Sequence, residues 1–186
     1  MKGKIFLIIG IVLLSVIILV GAFYLFVLSG AIFMFNSNPP APEITYGEFP
    51  IKVTCEINGE IKVIEDTVIC EFDGFENLGS AGKYRKWKAY LKSGNERLTL
   101  LHVENTEISF EISVSYGQPD YYMGDLRYES KVEYEKKMMD DRYLGYTQWE
   151  NGVQTGCSIP KEEVWEKCKL KIMDIQYSPP IQNNFK

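Results

Sequence analysis

Several things are scarce in this chain, and each scarcity closes a class of function. It contains one histidine, His102, so no second imidazole can complete a histidine metal pair. None of the four cysteines stands in a C-x-x-C spacing, which removes the usual zinc signature. No G-x-S-x-G elbow or comparable nucleophile motif is present. No cofactor is expected. Positive charge is also short: 20 basic against 25 acidic residues leave a net charge of −5. All the acids lie at or beyond Glu43, whereas Lys2 and Lys4 precede the apolar N-terminal segment, so the remainder carries 18 basic against 25 acidic residues, or −7. A nucleic-acid partner needs a positive face to displace counterions, and general adhesion to anionic lipid needs the same. No internal repeat of about 20 to 50 residues is visible.

Charge is missing altogether from Ile5 to Phe35, where Ser15, Ser29 and the Tyr24 hydroxyl are the only polar groups. About 20 apolar residues suffice to cross a bilayer as a helix, so residues 5–35 are expected to span one with length to spare, tilted or with one end among the headgroups. A helix apolar on every side has no polar face to turn to water, and a soluble core large enough to enclose it is implausible. Lys2 and Lys4 flank the run on its N-terminal side and no positive charge follows until Lys52, which places the N-terminus in the cytoplasm and the rest outside. Ser29-Gly30-Ala31 would serve as a cleavage site, but the apolar core before it is too long for a secretory signal, so an uncleaved signal anchor at the cell membrane is expected. Residues 1–35 form that anchor, and 36–46 a Pro-rich linker in which NSNPPAPE favours an extended, semi-rigid tether.

Residues 47–186 are expected to form one mainly-β extracytoplasmic domain. About 150 residues can bury a sizeable core, and the abundance of β-branched and aromatic residues argues against disorder. From Phe49 the apolar period is two: Ile51, Val53, Cys55 and Ile57 alternate with Lys52, Thr54 and Glu56. Asn58-Gly59 then signals a hairpin, whose return strand carries Val68, Cys70 and Phe72 with a break expected near Glu65-Asp66. Further strands are read at Tyr84–Lys92, Arg97–Glu104 and Glu107–Tyr116, near Lys131 to Met138, and at Leu170–Tyr177. Pro160 followed by Lys161, Glu162 and Glu163 starts a short C-terminal helix running to about Lys167. Short strands near ten-residue spacing predict an antiparallel sandwich or partly open barrel, with a long-strand α+β roll as the alternative.

The candidate chemistry is sparse, and each candidate has a structural counter-reading. Cys55, Cys70, Cys157 and Cys168 would meet an oxidising environment outside the cell, so disulfides 55–70 and 157–168 are preferred on sequence proximity, against four buried free thiols. His102 alternates with Leu98 and Leu100 and is expected at a sheet edge or beneath a loop. Asp120 with Asp125, or Asp140 with Asp141, could offer oxygens to calcium but lack the spacing of a dedicated loop. Lys83, Arg85, Lys86, Lys88 and Lys92 surround Trp87; they suit an anionic wall polymer or acidic partner, or else a strand edge kept from pairing. Tyr116, Tyr121, Tyr122, Tyr128, Tyr143, Tyr146 and Trp149 are either a stacking surface or core filling. The reading that follows is a non-catalytic binding or assembly module of the envelope, its partner an envelope protein or wall polymer. A small hydrolase of glycan or peptide is the alternative, since paired carboxylates leave no local motif. A subunit held in a complex by its anchor has little support, because Gly10 and Gly21 make no G-x-x-x-G face.

The run Gly47-Glu48-Phe49-Pro50-Ile51 leading to Glu56-Ile57-Asn58-Gly59-Glu60, then Cys70-Glu71-Phe72-Asp73-Gly74, and the closing PPIQNNFK resemble uncharacterised, membrane-anchored proteins of Gram-positive bacteria. The resemblance covers most of the outer domain loosely. It implies a bacterial single-pass surface protein and carries no activity or site.

Overall fold

The computed structural model describes residues 2–36, 38–77, 82–104, 108–139 and 143–186. Its element order is α1 (Lys2–Asn36), β1 (Tyr46–Ile57), β2 (Glu60–Asn77), β3 (Lys83–Leu91), β4 (Leu98–Glu104), β5 (Ile108–Val114), α2 (Pro119–Tyr122), α3 (Lys131–Met139), β6 (Tyr143–Glu150), β7 (Val153–Pro160), α4 (Lys161–Cys168) and β8 (Leu170–Tyr177). The chain divides into two compact units, residues 1–41 with 75–85, and residues 42–74 with 86–186.

In the first unit α1 is one helix of 35 residues. The side chains placed along it, 13–28, are all exposed. That stretch is itself shorter than a bilayer crossing, and among the described residues no helix is long and apolar enough to cross a membrane.

The second unit is mainly β. Its strands form two four-stranded antiparallel sheets, ordered β3-β2-β1-β8 and β4-β5-β6-β7. The period-two pattern of β1 buries Phe49, Ile51, Val53, Cys55 and Ile57, none more than 4% exposed. Asn58 and Gly59 take φ of 52° and 86°, the left-handed pair that a two-residue hairpin turn requires. The return strand β2 then pairs with β1 without interruption from Ile57↔Glu60 to Tyr46↔Glu71, so the break expected at Glu65-Asp66 is not there. Pro50 is tolerated in this strand because the β8 ladder on β1's other side starts only at Ile51.

The second sheet contributes Leu98, Leu100, Ile112, Val114, Leu144 and Ile159 to the same hydrophobic cluster, joined by Tyr121, Tyr122, Met123, Tyr134, Val164 and Leu170. The mainly-β, sandwich-like expectation therefore holds, and the short C-terminal helix stands where Pro160 and its following acids placed it.

Three further expectations fail. The segment read as a strand near Lys131 to Met138 is helix α3. Ser130 and Glu133 form a reciprocal cap, the Glu133 N–H donating to Ser130 Oγ (3.3 Å) and the Ser130 N–H to Glu133 Oε2 (2.9 Å). That capping box satisfies donors a helix start would otherwise leave open. The linker expected over 36–46 is shorter: Pro42 bridges Phe185, the Glu43 N–H donates to Asn184 O (2.9 Å), and the Ile44 N–H donates to Asn183 Oδ1 (3.0 Å). Residues 42–46 therefore belong to the folded unit, clamped by the C-terminal tail. The pairing of Cys55 with Cys70 also fails, and both stand as buried thiols. Cys70 lies opposite Gly47, eight residues along β1 from Cys55, a separation of about 26 Å. A disulfide needs Cα atoms within about 7 Å.

Two measurements check these packing arguments. Ser130→Ala should cost about 1 kcal/mol and Ile112→Ala about 2–5 kcal/mol in denaturant unfolding. The clamp should also show in the pH dependence: the Lys186 ammonium, then the Asn184 amide, lower the Glu43 carboxyl below its ordinary value. A carboxyl lowered on folding adds stability above its unfolded value and loses it as pH falls through the folded one. The melting temperature should therefore drop on acidification below about pH 4.5, with a shallower drop in Lys186→Ala.

Candidate functional site

The second sheet has one apolar and one polar face, and its register lays the polar face out as a grid. One row across the strands is Thr99, Ser113, Gly145 and Ser158. The next is His102, Glu111, Thr147 and Gly156, and the third is Glu104, Ser109, Trp149 and Gln154. Trp149 is the one large aromatic in this grid. The bulge between Thr99 and Leu101 matters here, because the extra residue brings His102 into line with Glu111.

Glycine at 145 is needed for this surface: a Cβ there would stand 2.6 Å from the Ser113 hydroxyl oxygen. A glycine inside a strand commonly marks such a close approach. Arg97, just before β4, donates from Nη1 to the Thr147 hydroxyl and so lies over the middle row.

Two hollows open over the grid, and Arg97 lines both. The larger, about 950 Å³, is floored by Ser113, Gly145, Thr147, Gly156 and Ser158, with Trp87 and Ala89 of β3 also lining it. The smaller, about 430 Å³, is lined by Arg97, Thr99, His102, Glu111, Trp149 and Gln154, together with Asn95 and Glu96. The His102 and Trp149 rings meet edge to face at 6.3 Å between centroids. Hydroxyl, amide, imidazole, carboxylate and guanidinium groups beside one half-buried indole give a surface rich in both donors and acceptors with a single stacking plane.

The expected aromatic group does not assemble as one surface. Tyr121 and Tyr122 are core residues, at 3% and 0% exposure. The Tyr122 ring stacks on Phe49 at 4.7 Å and its hydroxyl donates to Tyr116 O, while the Tyr121 hydroxyl donates to Glu135 Oε1. Burial raises both phenol pKa values, with Glu135 adding to the rise at Tyr121. Tyr146 stacks on Phe110 on the apolar face of β6, opposite to Trp149, because residues three apart on a strand point to opposite sides. Tyr128 is 88% exposed and stands apart from this grid. The Tyr143 side chain lies outside the described residues.

Lys86 and Lys88 reach the same carboxylate, Asp73, at 3.1 and 2.9 Å. Their charge is thereby partly neutralised, and Lys88 first, then Lys86, lower the Asp73 carboxyl. Among the calcium candidates, Asp125 is buried and accepts the Trp87 indole N–H at 2.9 Å, Asp120 faces Arg127 at 3.6 Å, and Asp140 and Asp141 lie outside the described residues. Among the described residues no group of three potential metal ligands gathers.

Sequence reasoning singled out Trp149 and missed Arg97, Glu111, Thr147 and Gln154. The available signal was the polar phase of β5 and the glycines of β6 and β7. Compared with family models, curated proteins and solved structures, the chain matches none.

The thiols give a direct check on burial. Cys157 is exposed and Cys168 half-buried, whereas burial raises the Cys55 thiol and pushes Cys70 up to about 12. A disulfide-exchange reagent at pH 8 should label Cys157 rapidly in the native protein, Cys168 more slowly, and Cys55 and Cys70 only on unfolding. Prompt labelling of all four would contradict the packing of β1 against β2.

Proposed function

We propose that this chain is a membrane-tethered, non-catalytic binding module of the bacterial envelope, held by α1 with its N-terminus in the cytoplasm and its β-rich unit outside. The unbroken apolar character of residues 5–35, with lysines only on the N-terminal flank, supports the anchor and its orientation. The ligand class this reading favours is an uncharged stretch of wall glycan. The observation that carries it is Trp149, the large aromatic of the three-row grid among the described residues, ringed by His102, Glu111, Gln154 and Arg97. An indole plane takes the C–H face of a sugar ring, and the surrounding donors and acceptors suit its hydroxyls. The net charge of −5 disfavours strongly anionic polymers.

The hydrolase reading has one observation in its favour, since Glu96 and Glu111 line the same hollow. A general acid in such a cleft is marked by a carboxyl displaced upward.

Full-length protein in liposomes should cosediment with purified wall glycan. Trp149→Ala should weaken that binding about tenfold, the ~1.4 kcal/mol scale of a buried aromatic contact, while Tyr128→Ala leaves it unchanged. Equal binding by wild type and Trp149→Ala would discard the site. Release of sugar fragments that Glu111→Gln abolishes would favour the hydrolase instead.

A further inference from the structure

We propose that the free edge of β7 is an interface at which two copies of this chain pair, strand to strand and antiparallel. An edge strand presents unpaired N–H and C=O groups, and proteins ordinarily block such edges with charge, proline or bulges. Three of the four sheet edges are blocked in this way. β3 carries Lys83, Arg85, Lys86 and Lys88. β4 carries His102 and Glu104 together with the bulge at Thr99/Leu101. β8 carries Lys171 and Asp174, and its pairing with β1 is interrupted between Thr54 and Cys55.

β7 has none of these devices. Val153, Gln154, Thr155, Gly156, Cys157 and Ser158 are uncharged and all exposed, and proline comes only at position 160. Its register with β6 runs without a shift from Glu150↔Val153 to Tyr143↔Pro160, so nothing twists the edge away. Among the described residues, no hydrogen bond from outside the β6–β7 hairpin reaches its backbone. Six bare residues offer an edge about 20 Å long.

A second copy is the occupant this edge suits. Antiparallel self-pairing is isologous and closes on itself, leaving no further edge of this kind open. An uncharged strand opposite its own copy sets no like charges against each other, whereas two acidic surfaces of this chain would repel elsewhere. Copies anchored by α1 would also share one membrane plane; that concentrating effect rests on the anchor reading, while the pairing itself needs only the edge. A twofold axis through Gly156 sets Gly156 opposite its own copy and Thr155 opposite the partner strand's Cys157. The two Cys157 Cα atoms then stand about 8 Å apart. Cys157 is the one exposed cysteine, so the native chain carries its own probe.

The test is thiol crosslinking of the full-length protein in liposomes with a bis-maleimide of matching span. A covalent dimer is expected, absent in Cys157→Ser. Its yield should fall about fivefold in Thr155→Lys, which sets like charge beside the axis, and stay unchanged in Val132→Lys on exposed α3. Unchanged circular dichroism would confirm that Thr155→Lys still folds. Crosslinking that Thr155→Lys leaves intact, or that vanishes only when α1 is replaced by an unrelated apolar helix, would overturn the proposal. So would absence of dimer at every protein-to-lipid ratio, or a β7 edge occupied instead by another protein's strand. Flotation of the same liposomes reports the anchor and cosedimentation reports the glycan site, so failure of either is told apart from failure of the edge.

Discussion

β1 pairs on one side with β2 over its whole length and on the other with β8, and its inward residues Phe49, Ile51, Val53, Cys55 and Ile57 run through the hydrophobic cluster. A one-residue slip in either ladder would turn that row toward the opposite face, so the burial of five consecutive alternate side chains holds the register of three strands at once. The second sheet, the tyrosines of α2 and α3, and Val164 of α4 all pack against the cluster that this row begins. The Asn58-Gly59 turn sets the register locally, and the core enforces it.

The same packing explains why the tyrosine-rich segment is not a surface. Pro119–Tyr122 is a single helical turn that turns Tyr121, Tyr122 and Met123 inward, where Tyr122 stacks on Phe49 and Tyr121 on Tyr134. Each phenol keeps a hydrogen-bond partner, Tyr116 O for Tyr122 and Glu135 for Tyr121, which is the condition for burying a polar tip. The C-terminal tail extends this arrangement: the Ile181 N–H donates to Tyr122 O, Ser178 donates to Pro50 O, and Asn183 and Asn184 hold residues 43–44. The two ends of the folded unit are thus stitched together.

With the aromatics of α2 consumed by the core, the polar face of the second sheet is left as the surface with chemical variety. Its character follows from alternation. The strands that send Ile112, Leu144 and Ile159 into the cluster must send Ser113, Gly145 and Ser158 the other way. The β7 edge has a different origin. It lies last in its sheet and carries no charge, so neither a neighbouring strand nor repulsion covers it.

Local signals in the sequence were enough for the helical conformation of α1, the β1–β2 hairpin, the alternation of β5, the start of α4 and the span of β8, because each is set by neighbours a few residues apart. The Ser130–Glu133 capping box was equally local and was outweighed by an ambiguous apolar pattern in VEYEKKMM. What tertiary structure alone decided is which faces meet and which edges stay bare. The free state of Cys55 and Cys70 depends on a register that sets them eight residues apart along one ladder, not on their proximity in the chain. The grid around Trp149 joins residues from 97 to 158 through strand pairing that no short window contains. Periodicity assigns a side chain to a face; only the packed sheets decide what that face looks upon.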